Sequence, residues 1–254
     1  MGDRPSSIRS RSTAVARQPQ EQLFDTHPEV SLDFEIVRQA ARQKYTRPFL
    51  ILDTAIVRAK ARRFRAAMPR VRPHYAVKAN PDRRVLKVLA EEGCGFEIAS
   101  TAELDLLLSL GVNPAEIFFS NPMKSRESIA YAAAKGVEWY VIDSLDELRR
   151  VFEVKPNAKQ YLRIATPNIG SDWPLSGKFG ASAGDAREMV SAAARLGADL
   201  AGITFHVGSQ CRNPENWRVA LEKARSLFDL MTKAGLKPRL LNIGGGYQIG
   251  RAHV

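Results

Sequence analysis

Long apolar runs are absent from this sequence of 254 residues, which contains no stretch of eighteen or more apolar residues. A membrane-spanning helix needs such a stretch, so the sequence predicts no transmembrane segment. The start of the chain also lacks the apolar core of a secretory signal, and we expect no such signal there. Because 44% of the residues are hydrophobic, the sequence predicts one large globular α/β domain with an extensive core.

Cysteine is scarce as well. The two cysteines, Cys94 and Cys211, lack the spacing to other Cys or His residues that zinc sites require, so we predict no metal site. Cys94 lies in an apolar strand pattern, and neither thiol is placed like a nucleophile. We interpret both as reduced thiols of a cytoplasmic protein.

Acidic residues are outnumbered, and the formal net charge is +11. Residues 1–72 contain fifteen Lys and Arg against seven Asp and Glu, whereas the remainder contains 23 against 20. We interpret this excess as lying outside the folded part, in a disordered basic tail over residues 1–30. The sequence therefore predicts neither a nucleic-acid nor a membrane partner. Deletion of residues 1–28 is expected to abolish any binding to polyanions.

Short apolar segments alternate with helical patterns after the tail. Residues 31–69 form a predicted helix and strand segment, with a helical pattern over 32–44, an apolar strand over 48–53 and a basic helix over 54–67. This segment leads into a longer series of strands and helices over residues 70–248, which we expect to be a partial (β/α) barrel.

Seven strands are predicted in that series, at residues 74–78, 95–99, 117–121, 138–142, 161–165, 202–207 and 240–243. Six helical stretches separate them. Strands that alternate with helices predict a parallel sheet with right-handed crossovers. Seven consecutive units favour a (β/α)8 barrel over an open doubly wound sheet, although an eighth strand is missing from the sequence.

Polar residues recur on one face of these strands, although both faces of a buried parallel sheet should be apolar. They are His74, Lys78, Glu97, Arg163, Thr204, His206 and Asn242. Each of them alone is compatible with a structural role in the core. Most lie near the carboxyl ends of strands, where barrel enzymes carry their active sites, so together they predict a functional site.

Lys78 is the centre of this hypothesis. If residues 74–78 form a strand, Lys78 points to the interior, where desolvation lowers the pKa of an amine. Such an amine can attack a carbonyl group and hold it as a Schiff base. A lone lysine more often keeps its ammonium group in solvent, so the hypothesis depends on its neighbours.

Two glycine-containing loops follow the last predicted strands. Gly208-Ser209-Gln210 follows the sixth strand, and Gly244-Gly245-Gly246 follows the seventh. Consecutive glycines let backbone N–H groups converge on an anion, and barrels bind phosphate at the loops after strands seven and eight. A Schiff-base lysine beside a phosphate site predicts pyridoxal phosphate as the cofactor.

Four motifs resemble those of the fold-type III pyridoxal phosphate-dependent decarboxylases, a family that includes ornithine, lysine and diaminopimelate decarboxylases. They are Tyr75-Ala-Val-Lys78-Ala-Asn80, Phe96-Glu97-Ile-Ala-Ser100, Phe205-His206-Val-Gly-Ser209 and Gly244-Gly-Gly-Tyr247. The resemblance covers about residues 48–247. It implies a TIM-like (β/α)8 barrel of the alanine racemase and decarboxylase type, here without its last strand and the C-terminal β-domain.

The resemblance also implies roles for individual residues. Lys78 would hold the cofactor as a Schiff base, and His206 would stack on its ring, which makes these two the candidate catalytic residues. Ser209 and Gly244, Gly245 and Gly246 would bind the phosphate. Glu97 and Arg163 would lie close to the cofactor.

The implied reaction is decarboxylation of a basic L-amino acid in polyamine synthesis. The loop over residues 165–181 is similar to that of ornithine decarboxylases, which favours L-ornithine, with putrescine as product, over L-lysine and cadaverine. The resemblance further implies a homodimer at full length. Diaminopimelate decarboxylase, an amino-acid racemase with the same cofactor, and a non-catalytic pyridoxal phosphate-binding or regulatory paralogue remain alternatives.

The end of the sequence does not continue this pattern. The family's acidic partner for the pyridine nitrogen, its residues for the distal amine and the cysteine lent by a second subunit are missing. Residues 249–254 match what a sequencing adapter encodes in one frame, so we interpret them as an artefactual end. We therefore expect a truncated fragment that is inactive alone and prone to aggregation through unpaired sheet edges.

Overall fold

A computed structural model describes residues 34–43, 45, 47–173 and 177–247. The predicted basic tail over residues 1–30 and the predicted artefactual end over 249–254 lie outside the described residues.

Two helices precede the sheet, α1 (Phe34–Arg42) and α2 (Thr54–Ala67). Helix α2 begins after Asp53, whose carboxylate accepts a hydrogen bond from the N–H group of Ala55 at 2.8 Å. The strand predicted over residues 48–53 is wrong, because this segment pairs with no described strand. Leu50 is 98% exposed. An apolar segment with no neighbouring strand makes no sheet hydrogen bonds, so its backbone stays irregular.

The seven strands predicted in the main series are present. They are β1 (His74–Ala76), β2 (Gly95–Ile98), β3 (Ile117–Phe119), β4 (Trp139–Ile142), β5 (Lys159–Ile164), β6 (Leu200–Phe205) and β7 (Leu240–Asn242). The six helices between them are α3 (Arg83–Glu91), α4 (Thr101–Leu108), α5 (Arg126–Ala134), α6 (Leu145–Val154), α7 (Ala183–Leu196) and α8 (Glu215–Lys233).

All seven strands are parallel, and their order in the sheet follows the sequence from β1 to β7. A doubly wound sheet reverses its strand order at a switch point, whereas a barrel keeps it. The arrangement therefore confirms the barrel type and excludes the open-sheet alternative for the described residues. It also places the carboxyl ends of the strands along one edge of the sheet.

Several helices begin at a serine that follows a strand or loop. The hydroxyl groups of Ser100, Ser125, Ser144 and Ser182 each accept the backbone N–H three residues ahead. A serine in this position satisfies one of the free N–H groups of the first turn. These four caps fix the first turns of the helices that follow β2, β3, β4 and β5.

Two apolar clusters fill the two faces of the sheet. The larger lies between the strands and the helices and includes fully buried Leu86, Leu104, Ile129 and Met189. The smaller lies on the concave face and is formed by Phe118, Val141 and Tyr161, with Trp139 and Leu240 packed against it. The ring of His74 meets Phe118 edge to face, with 4.7 Å between ring centroids. Aromatic side chains thus occupy the amino-terminal part of the barrel interior.

The loop after β3 is fixed by a buried ion pair. Lys124 Nζ lies 2.7 Å from Glu147 Oε1 and donates to the carbonyl oxygens of Val141 and Asn121 at 2.6 and 2.8 Å. Both charged side chains are at most 2% exposed. Three acceptors satisfy the three protons of the ammonium group, which is what burial of a charge requires.

The excess positive charge lies on a folded element. Residues 54–72 contain seven Lys and Arg and no Asp or Glu, whereas residues 1–28 contain four basic and three acidic residues. In helix α2, Arg58 and Arg62 pair with Glu92 at 2.6 and 2.9 Å. Lys60 and Arg63 are exposed and have no ion pair among the described residues. The interpretation that placed the excess in the tail is therefore wrong.

Candidate active site

The carboxyl edge of the sheet brings five segments together. The turn after β1 carries Lys78, β2 carries Glu97, β5 carries Arg163, the end of β6 leads to His206, and β7 leads into the glycine loop of residues 244–246. The predicted site residue Ser209 follows on the same side, in the loop after β6. His74 faces the opposite end of the barrel interior, next to Phe118.

Lys78 is exposed, so the expectation that its amine is buried is wrong. Strand β1 ends at Ala76, and Val77–Ala79 form a single 3-10 turn. The turn places Val77 in the core at 0% exposure and leaves Lys78 on the rim. The amine remains part of the site, because its positive charge contributes to the lowered pKa of His206 and opposes the rise in the pKa of Glu97.

Glu97 is half-buried and bonded from several sides. Its Oε1 accepts a hydrogen bond from Asn242 Nδ2 at 2.6 Å, and Ser120 bonds the same carboxyl group. Desolvation raises the pKa of Glu97, and these bonds together with the charges of Lys78 and Arg163 oppose that rise. Glu97 is thus a desolvated acid that faces two basic side chains.

Arg163 is a half-buried cation. Burial lowers the pKa of its guanidinium group, while the charges of Asp143 and Glu97 raise it. The guanidinium carbon lies 4.8 Å from the centre of the Phe179 ring. Neither Arg163 nor Lys78 has an ion-pair partner within 4 Å among the described residues. Two cations therefore face the site without a bound carboxylate.

His206 is held as a neutral ring. Desolvation, followed by the charges of Arg163 and Lys78, lowers its pKa from 6.5 to about 4. Its Nδ1 accepts the N–H group of Gly208 at 3.0 Å, which leaves the proton of the neutral ring on Nε2. A Cβ atom at Gly245 would lie 3.4 Å from Nε2, so the ring edge faces the glycine loop.

The glycine loop is packed closely against the loop after β6. A Cβ atom at Gly246, where φ is +98°, would lie 2.2 Å from the carbonyl oxygen of Gly208. The N–H group of Cys211 donates to the carbonyl oxygen of Gly246 at 2.8 Å. The N–H groups of Gly245 and Gly246 donate to no described residue, so two donors beside His206 are free to bind an anion.

Ser209 is anchored through its backbone. Its N–H group donates to the carbonyl oxygen of Trp173 at 3.1 Å, and its own carbonyl oxygen accepts the N–H group of Asp172 at 3.0 Å. The Ser209 hydroxyl group makes no hydrogen bond with the described residues. An ion pair between Arg212 and Asp172, at 2.6 Å, ties the same two loops together. Asp172 and Trp173 are thus docked beside the candidate phosphate site.

Two residues of this site were missed as site residues by sequence reasoning. Asn242 was recognised as a polar residue on the inner face, and its position two residues before the glycine loop is the signal that gives it a role. Asp143 directly follows β4, and its carboxylate accepts the N–H group of Gly180 at 3.0 Å. A polar residue immediately after a strand is the signal that predicts it.

Comparison with known sequences identifies the family. The family model for the pyridoxal-dependent decarboxylases, pyridoxal binding domain, matches residues 54–253. The chain belongs to this family. It is 42% identical over 199 residues to ornithine decarboxylase of Mus pahari and 40% identical over 213 residues to antizyme inhibitor 2 of Xenopus laevis. These matches cover 78% and 84% of the chain but only 43% and 47% of the two relatives, so the chain spans less than half of their length.

Solved structures of the same fold type agree. The arginine decarboxylase of Paramecium bursaria Chlorella virus superposes with a TM-score of 0.81 at 33% identity, over 84% of this chain and 58% of that one. A lysine decarboxylase crystallised with pyridoxal phosphate and cadaverine gives a TM-score of 0.78 at 32% identity, over 87% and 56%. The cofactor of this family is pyridoxal phosphate.

The residues at the carboxyl edge fit this cofactor. Lys78 offers a primary amine to an aldehyde, and Arg163, which has no ion-pair partner within 4 Å among the described residues, suits a group that carries a phosphate. The free N–H groups of Gly245 and Gly246 supply donors for the phosphate oxygens, and His206 presents a neutral ring beside them. Among the described residues, no three His, Cys, Asp or Glu side chains are grouped so that they could bind a metal ion, and none of the helices has the length and apolar composition of a membrane span.

Proposed function

We propose that this chain is the cofactor-binding part of a carboxy-lyase that removes carbon dioxide from a basic L-amino acid. The observation that carries the proposal is the convergence of Lys78, His206 and two free N–H groups of the glycine loop at one edge of the sheet. An amine, a flat neutral ring and an anion site at one place suit a cofactor that carries both an aldehyde and a phosphate.

Each residue has a distinct role in this proposal. Lys78 would hold the cofactor through its amine and, once the α-amine of the substrate has displaced it, would carry a proton to the reacting carbon from its exposed position on the rim. His206 packs against the cofactor ring. Gly244, Gly245, Gly246 and Ser209 bind the phosphate, while Glu97 and Arg163 lie beside the ring and set the local charge. When bound, pyridoxal phosphate supplies an electron sink for the electron pair that is left when carbon dioxide departs.

L-Ornithine is our first candidate substrate, with putrescine as product and polyamine synthesis as the setting. Relatives named ornithine decarboxylase at about 40% identity support it. L-Lysine with cadaverine is the next candidate, supported by the lysine decarboxylase structures. Diaminopimelate decarboxylase and an amino-acid racemase are the remaining alternatives within the same cofactor chemistry.

Assembly and location form part of the same proposal. We propose a homodimer at full length, supported by the exposed apolar side chains of Ile169 and Trp173 near the mouth of the site, which are 76% and 63% exposed. The thiols of Cys94 and Cys211 are free and buried, which suits the reducing cytoplasm.

Cofactor binding tests the proposal directly. Pyridoxal phosphate is titrated into the purified chain, the adduct is reduced with borohydride, and the modified peptide is identified by mass spectrometry. We expect a new absorbance band and modification of Lys78. Lys78→Ala should lose both, whereas Lys87→Ala, which removes an exposed lysine of helix α3, should keep both. Modification spread over many surface lysines would contradict the proposal.

Turnover is measured with the full-length protein. Release of carbon dioxide from carboxyl-labelled L-ornithine, L-lysine and meso-diaminopimelate ranks the substrates, and a change in optical rotation without gas release identifies a racemase. Near wild-type turnover in Lys78→Ala would refute the assignment of Lys78.

A second candidate function is supported by one observation, the 40% identity to a protein named antizyme inhibitor 2. In this reading the chain belongs to a non-catalytic paralogue with a regulatory role. Binding of pyridoxal phosphate without release of carbon dioxide from any of the three substrates would favour it over the decarboxylase.

A further inference from the structure

Asn242 joins two parts of the site that are 145 residues apart in sequence. Its Nδ2 donates to Glu97 Oε1 at 2.6 Å, and its Oδ1 accepts the N–H group of Gly244 at 2.8 Å. The amide is therefore oriented by both partners, because the reverse orientation would pair its NH2 group with an N–H donor and its oxygen with a carboxylate. This side chain connects β2 to the loop after β7.

On one side of Asn242, Glu97 belongs to the charged group around Lys78. The charges of Lys78 and Arg163 act on its carboxyl group, and Ser120 donates a further hydrogen bond to it. Ser120 Oγ also lies 2.8 Å from the hydroxyl oxygen of Tyr161. Glu97 also pairs in register with Ala76 across β1 and β2, two residues before the amine that the proposed function assigns to the cofactor aldehyde.

On the other side, the backbone of Gly244 is packed closely against the end of β6. Its φ is +67°, and a Cβ atom there would lie 1.9 Å from the carbonyl oxygen of Phe205. With its N–H group bound by Asn242, the next two N–H groups, those of Gly245 and Gly246, remain free beside His206. The asparagine therefore sets where these two donors point.

We propose that Asn242 is a positioning residue that couples Glu97 to the glycine loop and so fixes the phosphate donors relative to the Lys78 amine. This inference rests on the proposed function. An amide performs the task because it donates to one partner and accepts from the other at the same time. An aspartate would still accept the Gly244 N–H group, but it would place two carboxyl groups at hydrogen-bond distance, where one must take up a proton.

Three variants test the coupling. Asn242→Leu removes both hydrogen bonds. Asn242→Asp keeps only the hydrogen bond to Gly244, unless the two carboxyl groups share a proton. The double variant Glu97→Gln with Asn242→Asp exchanges the amide and the carboxylate, so one side chain again donates and the other accepts. Asn113→Asp is the matched control, because Asn113 also accepts a backbone N–H group but lies at a distant helix start.

The first measurement is the dissociation constant of pyridoxal phosphate, followed by absorbance across pH. We expect Asn242→Leu to weaken binding about tenfold or more at every pH, the usual scale for a lost charge-assisted hydrogen bond. Asn242→Asp should bind nearly normally at acid pH and progressively more weakly as the shared proton is lost. The double exchange should remove this pH dependence, and Asn113→Asp should match the wild type. A pH-independent wild-type affinity in Asn242→Asp would overturn the inference.

A second measurement needs no cofactor, so it separates failure of this inference from failure of the proposed function. Hydrogen exchange of the Gly244 amide and the urea midpoint are measured for all variants. Hydrogen exchange of the Gly244 amide should accelerate in Asn242→Leu. The double variant Glu97→Gln with Asn242→Asp should recover the urea midpoint that Asn242→Asp loses above neutral pH. If the wild type does not bind pyridoxal phosphate, the proposed function fails. If the double exchange restores nothing, the coupling fails.

Discussion

Two of the four histidines in the sequence, His74 and His206, lie among the described residues, and both are half-buried. Burial is the main cause that lowers the pKa of both His74 and His206 to about 4. The Nδ1 atom of His206 accepts a hydrogen bond from the N–H group of Gly208, whereas the Nδ1 atom of His74 is buried without a hydrogen-bond partner among the described residues. At neutral pH both rings are neutral, one in the candidate site and one against the aromatic cluster of the concave face.

His74 should make the fold sensitive to acid. Its folded pKa of about 4 lies below the unfolded value of about 6.5, so the unfolded chain takes up more protons and stability falls as the pH drops through this window. Protonation of this ring can lower the free energy of unfolding by at most about 3 kcal/mol. His206 acts in the same direction, while the raised pKa of Glu97 acts in the opposite one.

The measurement compares urea unfolding of the wild type and His74→Phe between pH 7 and pH 4.5. The phenylalanine keeps a ring against Phe118 and removes the titrating nitrogens, so we expect the variant to lose less stability on acidification. Equal losses in the two proteins would show that His74 does not titrate in this window.

Gly95 provides the space for the His74 ring. A Cβ atom there would lie 2.4 Å from a carbon of the imidazole ring, and the ring is held in place by Phe118. We expect Gly95→Ala to destabilise the fold by about 1–3 kcal/mol, the usual cost of overpacking. Truncating the ring by adding His74→Ala should restore part of that loss. Gly184→Ala should cause no such destabilisation, because the atom nearest to a Cβ at this position would be 3.7 Å away. Thermal unfolding measures all three, and an undisturbed Gly95→Ala would contradict the steric argument.

At the scale of elements, the basic side chains of helix α2 fall into two groups. Arg58 and Arg62 bind Glu92 and hold α2 against the end of α3, whereas Lys60 and Arg63 face solvent without a partner among the described residues. The solvent-facing charges therefore lie on a helix that is anchored to the rest of the fold through Glu92.

Retention on a heparin matrix should depend on this surface. We expect Lys60→Gln with Arg63→Gln to elute at clearly lower salt than the wild type, because fewer counterions are displaced on binding. Deletion of residues 1–28, which removes a net charge of only +1, should change the elution little. Lys135→Gln with Lys155→Gln controls for net charge alone. If the deletion has the larger effect, the tail and not α2 binds the polyanion.

At the scale of the whole molecule, the curled sheet ends at β1 and β7, which pair with no further described strand. Leu241 lies in β7 and is 42% exposed. An apolar side chain on an open strand edge promotes pairing with another chain.

We expect Leu241→Lys to reduce concentration-dependent association of the 254-residue chain, since a charge on an edge strand opposes strand pairing. Leu221→Lys is the control, because Leu221 is 40% exposed but lies in helix α8, away from the sheet edge. Light scattering over a concentration series measures both. An equal reduction in the two variants would attribute the association to surface hydrophobicity in general.

The sequence by itself determined the seven strands, the six helices between them and the motifs that place Lys78, His206 and the glycine loop in one family. These features are encoded locally, by the alternation of apolar residues, by capping serines and by glycines in tight turns. The tertiary structure alone decided that residues 48–53 form no strand and that Lys78 lies exposed on the rim. It also decided that Asn242 bonds Glu97. These outcomes depend on which distant segments meet, and no local pattern contains that information, because a hydrogen bond between residues 145 positions apart exists only once the sheet has curled.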